Sequence, residues 1–484
     1  MKLKIFSLGL LVLLAASCKK QLVQAPSNAL PLANAFKTVS DFDAAAKGMY
    51  YEMVHSNNYL SGEDNPIAWA STLDILADNV ITQQTGRGSQ RTFGNWQYNK
   101  SNTTFMFEQA YTIIRSANAI VENIKNIDGT PQQSNYMGEA LTVRAMVHFD
   151  LLRVYSKPVS GPQADLNALG VPYVTTTDIA DKPNRGTVQA TYTNVVADLV
   201  KAVDLINDDN GEGRLNKAAV YALLSRVYLY GGDWQKCIDA STACLAVNSD
   251  PASIGAFPGI WTDSLDNGVI FKIKVSEQDL DGGQPVKIGV GYNQQGPDGG
   301  LKSEWVCAYS FFKMFDSTDV RTASYLTLTT SNGINYNAII KYQGRPNGGT
   351  LDLVDIKYLR VAEVLLNRAE AYTMIPNDVS ALADLDALRM NRYSNFTPGA
   401  EAGQALKDAV DKERRLELAF EGDRWFTLKR KGLPVSRDAF GDYADGTGTP
   451  YFVTSLPAGD NKWQIPLYIG YINGNTNLVQ NPGF

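Results

Sequence analysis

The run Glu413-Arg-Arg-Leu-Glu-Leu-Ala-Phe-Glu-Gly-Asp-Arg-Trp-Phe-Thr-Leu-Lys-Arg-Lys-Gly432 carries more charge than a core helix needs. At about 100° per residue, Ala409, Leu416 and Phe420 share one face and Glu413 falls in the middle of it. A carboxylate there must meet a cation, because an unpaired buried charge costs several kcal/mol. Arg414, Arg415 and Arg424 are the nearest suppliers in sequence. Such a run suits a catalytic cluster, a nucleic-acid patch or an internal clamp between helices. A second polar stripe, Arg360, Glu363, Asn367 and Glu370, has the 3-4-3 spacing of one helix face. Two carboxylates on a stripe invite a glycosidase reading, but that pair comes from separate elements across an open cleft. Here an arginine shares the stripe, so paired structural charges are expected, and the same holds for Glu413, Glu417, Glu421 and Asp423.

Other chemistries find little support. There is no Gly-x-Ser-x-Gly elbow, no His-Glu-x-x-His and no Gly-x-x-x-x-Gly-Lys-Ser/Thr loop, so nothing makes a positive case for an enzyme. His55 and His148 are the only histidines and lie far apart in sequence, without zinc-ligand spacing. No metal or cofactor is expected. Cys237 and Cys244, seven apart on one helix, sit ~10.5 Å apart along its axis, too far for a disulfide. The net charge of −6 argues against nucleic acid as the main partner, and the basic Lys429-Arg-Lys431 is balanced by acidic residues before it.

Aromatic residues in polar loops carry the remaining signal. They are Trp69, then Arg87, Asn95-Trp96 and Tyr98, then Tyr292-Asn293-Gln294 and Trp305, and Tyr342 with Arg345. A sugar ring has apolar C–H faces and a rim of hydroxyls, and is held by a flat aromatic flanked by amide or guanidinium groups. The expected contacts are stacking on Trp96, with Tyr292, Trp305 or Trp69 as further platforms, and hydrogen bonds from Asn95, Arg87 or Asn293.

These loops need a scaffold. Lys217 to Tyr230, the turn Gly231-Gly232-Asp233 and Trp234 to Ala246 read as a tetratricopeptide-type hairpin in which Cys237 and Cys244 are small packing residues. A looser copy runs from Asp355 through Tyr372 and the turn Ile375-Pro-Asn-Asp378 into Ala381 to Arg389, and a third helical pattern covers Gly138 to Arg153. Val269 to Val275 and Asn337 to Tyr342 read as short strands inside long excursions. The predicted fold class is mainly α, helical hairpins with loop-rich insertions.

Met1-Lys-Leu-Lys, the apolar Ile5 to Leu14 and Ala15-Ala16-Ser17 before Cys18 have the form of a lipoprotein signal peptide. The apolar run is shorter than the ~20 residues that span a bilayer as a helix. The predicted organisation is a cleaved signal over 1–17, a tether lipidated at Cys18 over 18–35, and a single body over 36–484 carrying the ligand-binding loops. More than one acyl chain gives lasting membrane attachment.

Taken in order, several blocks resemble the SusD/RagB family of bacterial outer-membrane nutrient-binding lipoproteins. They are Phe36 to Tyr50, Leu76-Ala-Asp-Asn79, Glu139 to Arg153, Leu215 to Tyr230, Tyr358 to Tyr372, the charged run Glu413 to Gly432, and the tail Gln480-Asn-Pro-Gly-Phe484. The resemblance implies a SusD-like, tetratricopeptide-containing surface lipoprotein that binds rather than turns over its ligand. It also implies a partner, a TonB-dependent SusC-like transporter that receives oligosaccharides, or peptides in some branches. Related proteins often place a stacking aromatic after the Leu76-Ala-Asp-Asn79 block, which supports Trp96. Lys19-Lys20 departs from the acidic residue often found after the lipidated cysteine, so placement on the outer face rests on the family. The alternatives are a peptide-binding RagB-like protein and a helical-repeat scaffold for protein partners.

Overall fold

The computed structural model describes residues 35–55, 59–60, 69–83, 88–278, 280–281, 284–285, 287–289, 291–295, 301–345 and 350–484. The expected signal segment, Cys18, all but the last residue of the tether, and Arg87 lie outside the described residues. The longer elements are α1 (Val39–His55), α2 (Trp69–Leu76), β1 (Val80–Thr82), α3 (Phe107–Asn123), α4 (Gln132–Tyr155), α5 (Val188–Val203), α6 (Lys217–Gly231) and α7 (Trp234–Leu245). They continue with β2 (Val269–Ile273), β3 (Trp305–Cys307), β4 (Leu326–Ser331), β5 (Ile334–Ile339), β6 (Ile356–Arg360), α8 (Val361–Met374), α9 (Asp378–Arg389), α10 (Gly403–Glu417) and α11 (Asp423–Lys431).

The helix α4 is the centre of the first half. Between Asn135 and Tyr155 only Met137 and Arg153 are less than buried, so this helix is enclosed on all sides rather than amphipathic. Gly138 lets the neighbouring chain come close, since a Cβ there would lie 2.7 Å from the Ile206 nitrogen. Its buried charged and polar side chains have partners. Glu139 accepts from Arg214 at 2.6 and 3.0 Å and from the Tyr50 hydroxyl at 2.7 Å. Arg144 binds Asp198 with two bonds of 2.7 and 2.8 Å. His148 donates from Nδ1 to the Arg144 carbonyl at 2.8 Å and accepts at Nε2 from the Val174 amide at 3.0 Å. That pairing fixes a neutral tautomer, and burial pushes its pKa down to about 3.

Two helical hairpins, α6–α7 and α8–α9, stack through α8 against α7. Asn216 and Asn377 cap α6 and α9 by accepting from the Ala219 and Ser380 amides, and Gly232, at φ 74°, ends α6 in the left-handed conformation. Cys237 and Cys244 are buried free thiols in this stack. The second repeat starts later than its sequence pattern suggests. Residues 356–360 form β6, paired with β2 from Ile356↔Ile273 to Arg360↔Val269. Ile356-Lys-Tyr-Leu suits a pleated, half-buried surface, so Arg360 ends a strand and precedes the helix instead of sharing its stripe. A four-stranded antiparallel sheet, in the order β1-β3-β5-β4, carries the excursions. Its β4–β5 hairpin turns at Asn332-Gly333, with φ 51° and 76°, the pairing that a tight primed turn requires.

The charged run spans α10 and α11 and is a clamp. Glu417 is fully buried and accepts from Arg360 at 2.6 Å, Arg392 at 2.7 and 2.9 Å, and Arg321 at 3.2 Å. Burial alone would raise its pKa, but these guanidinium groups hold it well below the usual carboxylate range. Glu413 meets Arg321 at 2.5 Å and Arg389 at 3.5 Å. Its cations therefore come from outside the run. Arg414 is adjacent in sequence and points off that face; it binds Asp423 and the Asn367 amide oxygen. Arg415 and Arg424 converge on Asp78. The second stripe does meet the run, through Arg360, through Asn367, and through Glu370, which takes two bonds of 2.6 and 2.7 Å from Arg430. Glu363 turns away to Arg226 on α6.

Glu417→Ala leaves three guanidinium groups without their shared carboxylate and should cost about 3–5 kcal/mol of stability, read as a lower urea midpoint. The neutral His148 gives a second check. The unfolded chain takes up a proton that the folded ring refuses, so this group's stabilisation is full above pH ~6.5 and falls as pH is lowered toward about 3. Its ring resonances in an NMR titration should keep neutral-imidazole shifts at pH 5; a charged ring at that pH would contradict the buried pairing.

Candidate functional site

After β1 the chain forms a short helix, Arg91–Gly94, places Asn95 at its end, and then turns through Trp96 at φ 53°. Trp96 is 5% exposed. Its indole N–H donates to the Leu76 carbonyl at 3.1 Å, and the Arg437 guanidinium lies 4.2 Å from its ring centre. Arg437 itself donates to the carbonyls of Ile75, Ala77 and Gly94 at 2.7, 2.9 and 2.6 Å. The expected sugar platform at Trp96 is thus corrected: its face is covered and its N–H is used to anchor the loop.

Tyr292 and Trp305 are also internal, both fully buried. The Tyr292 hydroxyl donates to Asp74 at 2.9 Å, and its ring meets Trp305 edge-on at 5.6 Å. The Trp305 N–H donates to the Ser89 carbonyl at 3.2 Å. Gly291, at φ 98°, permits this packing, because a Cβ there would come within 2.3 Å of the indole. Burial pushes the Asp74 carboxyl up to about 8. Asn293 is buried beside Asp352. These three residues are therefore internal rather than presenting a surface, and Tyr292 ties the excursion to α2 through Asp74. Trp69 begins α2, but its side chain is outside the described residues.

Asn95 has a different setting. It lines a shallow surface cleft of about 20 Å³ with Ile75, Val80, Thr82, Arg91 and Phe452. Phe452 comes from a long hairpin whose ends pair Val435↔Leu456 and Ser436↔Ser455, with a further bridge at Gly441↔Pro450. Tyr451 anchors that hairpin through a 2.8 Å bond from its hydroxyl to the Val80 carbonyl. The next side chain, Phe452, faces solvent at 78% exposure. Phe440, across the hairpin, is also exposed, its ring 4.9 Å from Tyr309. Phe452, Asn95 and Arg91 thus offer an aromatic face, an amide and a guanidinium at one opening. Phe452 gives little sequence signal, since it follows the turn-rich Gly446-Thr-Gly-Thr-Pro450 with no apolar periodicity around it. Among the described residues no group of three or more His, Cys, Asp or Glu side chains is placed to hold a metal ion, and no helix is long and apolar enough to cross a membrane.

The architecture is that of a tetratricopeptide-type helical scaffold with a surface cleft carried on its loops. Residues 35–229 match the SusD-like family described as starch-binding and associating with the outer membrane, and residues 290–484 match the SusD family. The chain belongs to the SusD family. It is 25% identical to SusD-like protein P2 of Formosa agariphila, over 93% of each chain. Among solved structures it is similar to a putative sugar binding protein from Bacteroides vulgatus, with TM-score 0.78 and 24% identity over 93% of this chain and 99% of that one. It is also similar to surface glycan-binding protein A from Bacteroides uniformis, with TM-score 0.71 and 18% identity over 92% and 99% of the two chains.

Trp96→Ala should behave as a core truncation, costing about 3–5 kcal/mol in urea unfolding. Wild-type stability of that variant would contradict the anchoring role.

Proposed function

We propose that this protein captures oligosaccharides at the bacterial outer membrane and passes them to a partner TonB-dependent SusC-like transporter, without chemical turnover. In this reading the chain is held by acyl groups on Cys18 and faces the cell exterior, with residues 36–484 as one ligand-binding body. Membership of a family described as starch-binding and outer-membrane-associated supports it, as do structural neighbours named for sugar and glycan binding. The observation that carries the reading is the placement of an exposed Phe452 ring beside Asn95 and Arg91. A sugar would lay its C–H face on Phe452 and direct hydroxyls to the amide and guanidinium. Affinity for small glycans is expected to be modest, because hydroxyls already bonded to water gain little on transfer to protein donors.

Calorimetric titration of the purified protein against oligosaccharide and peptide libraries tests the ligand class. Phe452→Ala should weaken the cognate glycan up to about tenfold, the range of an aromatic contact, with an unchanged melting temperature. If Phe452→Ala and Asn95→Ala both bind as tightly as wild type, the cleft is not the site; if only peptides bind, the ligand class is wrong.

A further inference from the structure

At the C-terminal end of α4, three segments line a half-open pocket of about 20 Å³: the last turn of α4, residues 157–159 and α11. Its polar lining consists of Arg153, Lys157, Lys429, Arg430 and Tyr230. Four of these are cations, and no carboxylate lines the cavity. An adjoining space of about 30 Å³ shares Lys157 and Lys429 and has Asp460 on its wall.

The cations are unequally balanced. Arg153 pairs with Asp150, and Arg430 with Glu370, both outside the lining. Lys429 has no carboxylate partner among the described residues. Its bond of 2.6 Å goes to the carbonyl of Arg153, one of the acceptors that a helix end leaves open, and an ammonium has three donors. Lys157 likewise forms no ion pair among the described residues. Two more buried donors face the same region without a partner, Arg430 Nε and the Tyr230 hydroxyl. The surplus is therefore two lysine amines without carboxylate partners and several unused N–H and O–H groups around one pocket. Burial, with repulsion from Arg153, pushes the Lys429 amine down to about 7.

We propose that this cavity binds a single small monovalent anion of the size and charge of chloride. Its volume suits about one water-sized sphere, closer to a halide than to the larger phosphate or sulfate. An ion there accepts from Lys429, Arg430 Nε and Tyr230, with Lys157 at the outer side. Arg153 is fixed between aromatic rings, 4.3 Å from the centre of Phe426 and 4.9 Å from that of Phe149, so the positive wall is preformed. The bound ion ties α11 to the end of α4.

The test compares melting of the purified protein in sodium chloride, sodium bromide and sodium gluconate at equal ionic strength, gluconate being far larger than a halide. Chloride and bromide should raise the melting temperature by a few degrees in a saturable way, as a ligand of the native state does, and Lys157→Gln should shift the half-saturation to higher halide. In crystals grown with bromide, an anomalous peak should lie between Lys429, Arg430 and Tyr230. Equal melting in all three salts, or bromide crystals without a peak in the cavity, would overturn the proposal and leave water as the occupant.

Discussion

Taking the Glu417 carboxylate out of water is costly, and the structure offsets that cost only by bringing in arginines from three separate segments. Arg321 belongs to a short helix before β4, Arg360 ends β6, and Arg392 follows α9. Each of these cations then requires its own balance: Arg321 uses Asp319 and Glu413, and Arg360 uses Glu421, which also takes Lys341. The network closes only when α8, α9, α10 and the strand-bearing insertion are all in place. Buried ion pairs are not strong sources of stability, because desolvation cancels much of the attraction. A half-closed network is heavily penalised, however, and this makes the clamp a selector of helix register.

The insertions are held by a different device. Long loops have few ladder hydrogen bonds, so buried carbonyls there must find other donors. Aromatic side chains provide them: Trp96 serves Leu76, Trp305 serves Ser89, Tyr342 serves Phe420 and Tyr325 serves Glu417. Each donor brings a large apolar ring, so the same residue fills volume and satisfies polarity. This explains how these four aromatic residues order their segments without offering their rings to solvent.

The two devices differ in how far sequence reveals them. The α6–α7 hairpin, with its turn glycine and small cysteines, follows from local periodicity, and so does the presence of a clamp, since charges on an apolar helix face must be paired. The identity of Glu413's partner does not follow, because Arg321 lies 92 residues away and only the assembled fold brings it near. Arg360 was hidden by a register effect: a β-branched and aromatic run directly before a helix mimics the helix's own stripe. In the Asn95-Trp96 pair the expected stacking platform is internal, with the amide at the cleft opening and the indole buried behind it. Which way a loop aromatic points depends on what packs beneath it, and no local pattern encodes that. The exposure of Phe452 is unencoded locally for the same reason.

The Asn95 cleft is shallow, so its rigidity matters more than its area. Arg437 supplies that rigidity in an unusual way, buried with its guanidinium on backbone carbonyls rather than on a carboxylate. Burial lowers its pKa, but two of those carbonyls lie at the C-terminal end of α2, where the helix dipole favours a cation. The rings of Trp96 and Tyr451 cover the remaining faces at 4.2 and 4.6 Å. One guanidinium thereby fixes the end of α2, the segment bearing Asn95 and the hairpin bearing Phe452 relative to one another. A weak ligand cannot supply the ordering of three loops from its own binding energy. The buried Arg437 and Trp96 have already ordered them, so in the proposed reading an internal aromatic would contribute to recognition without touching what is recognised.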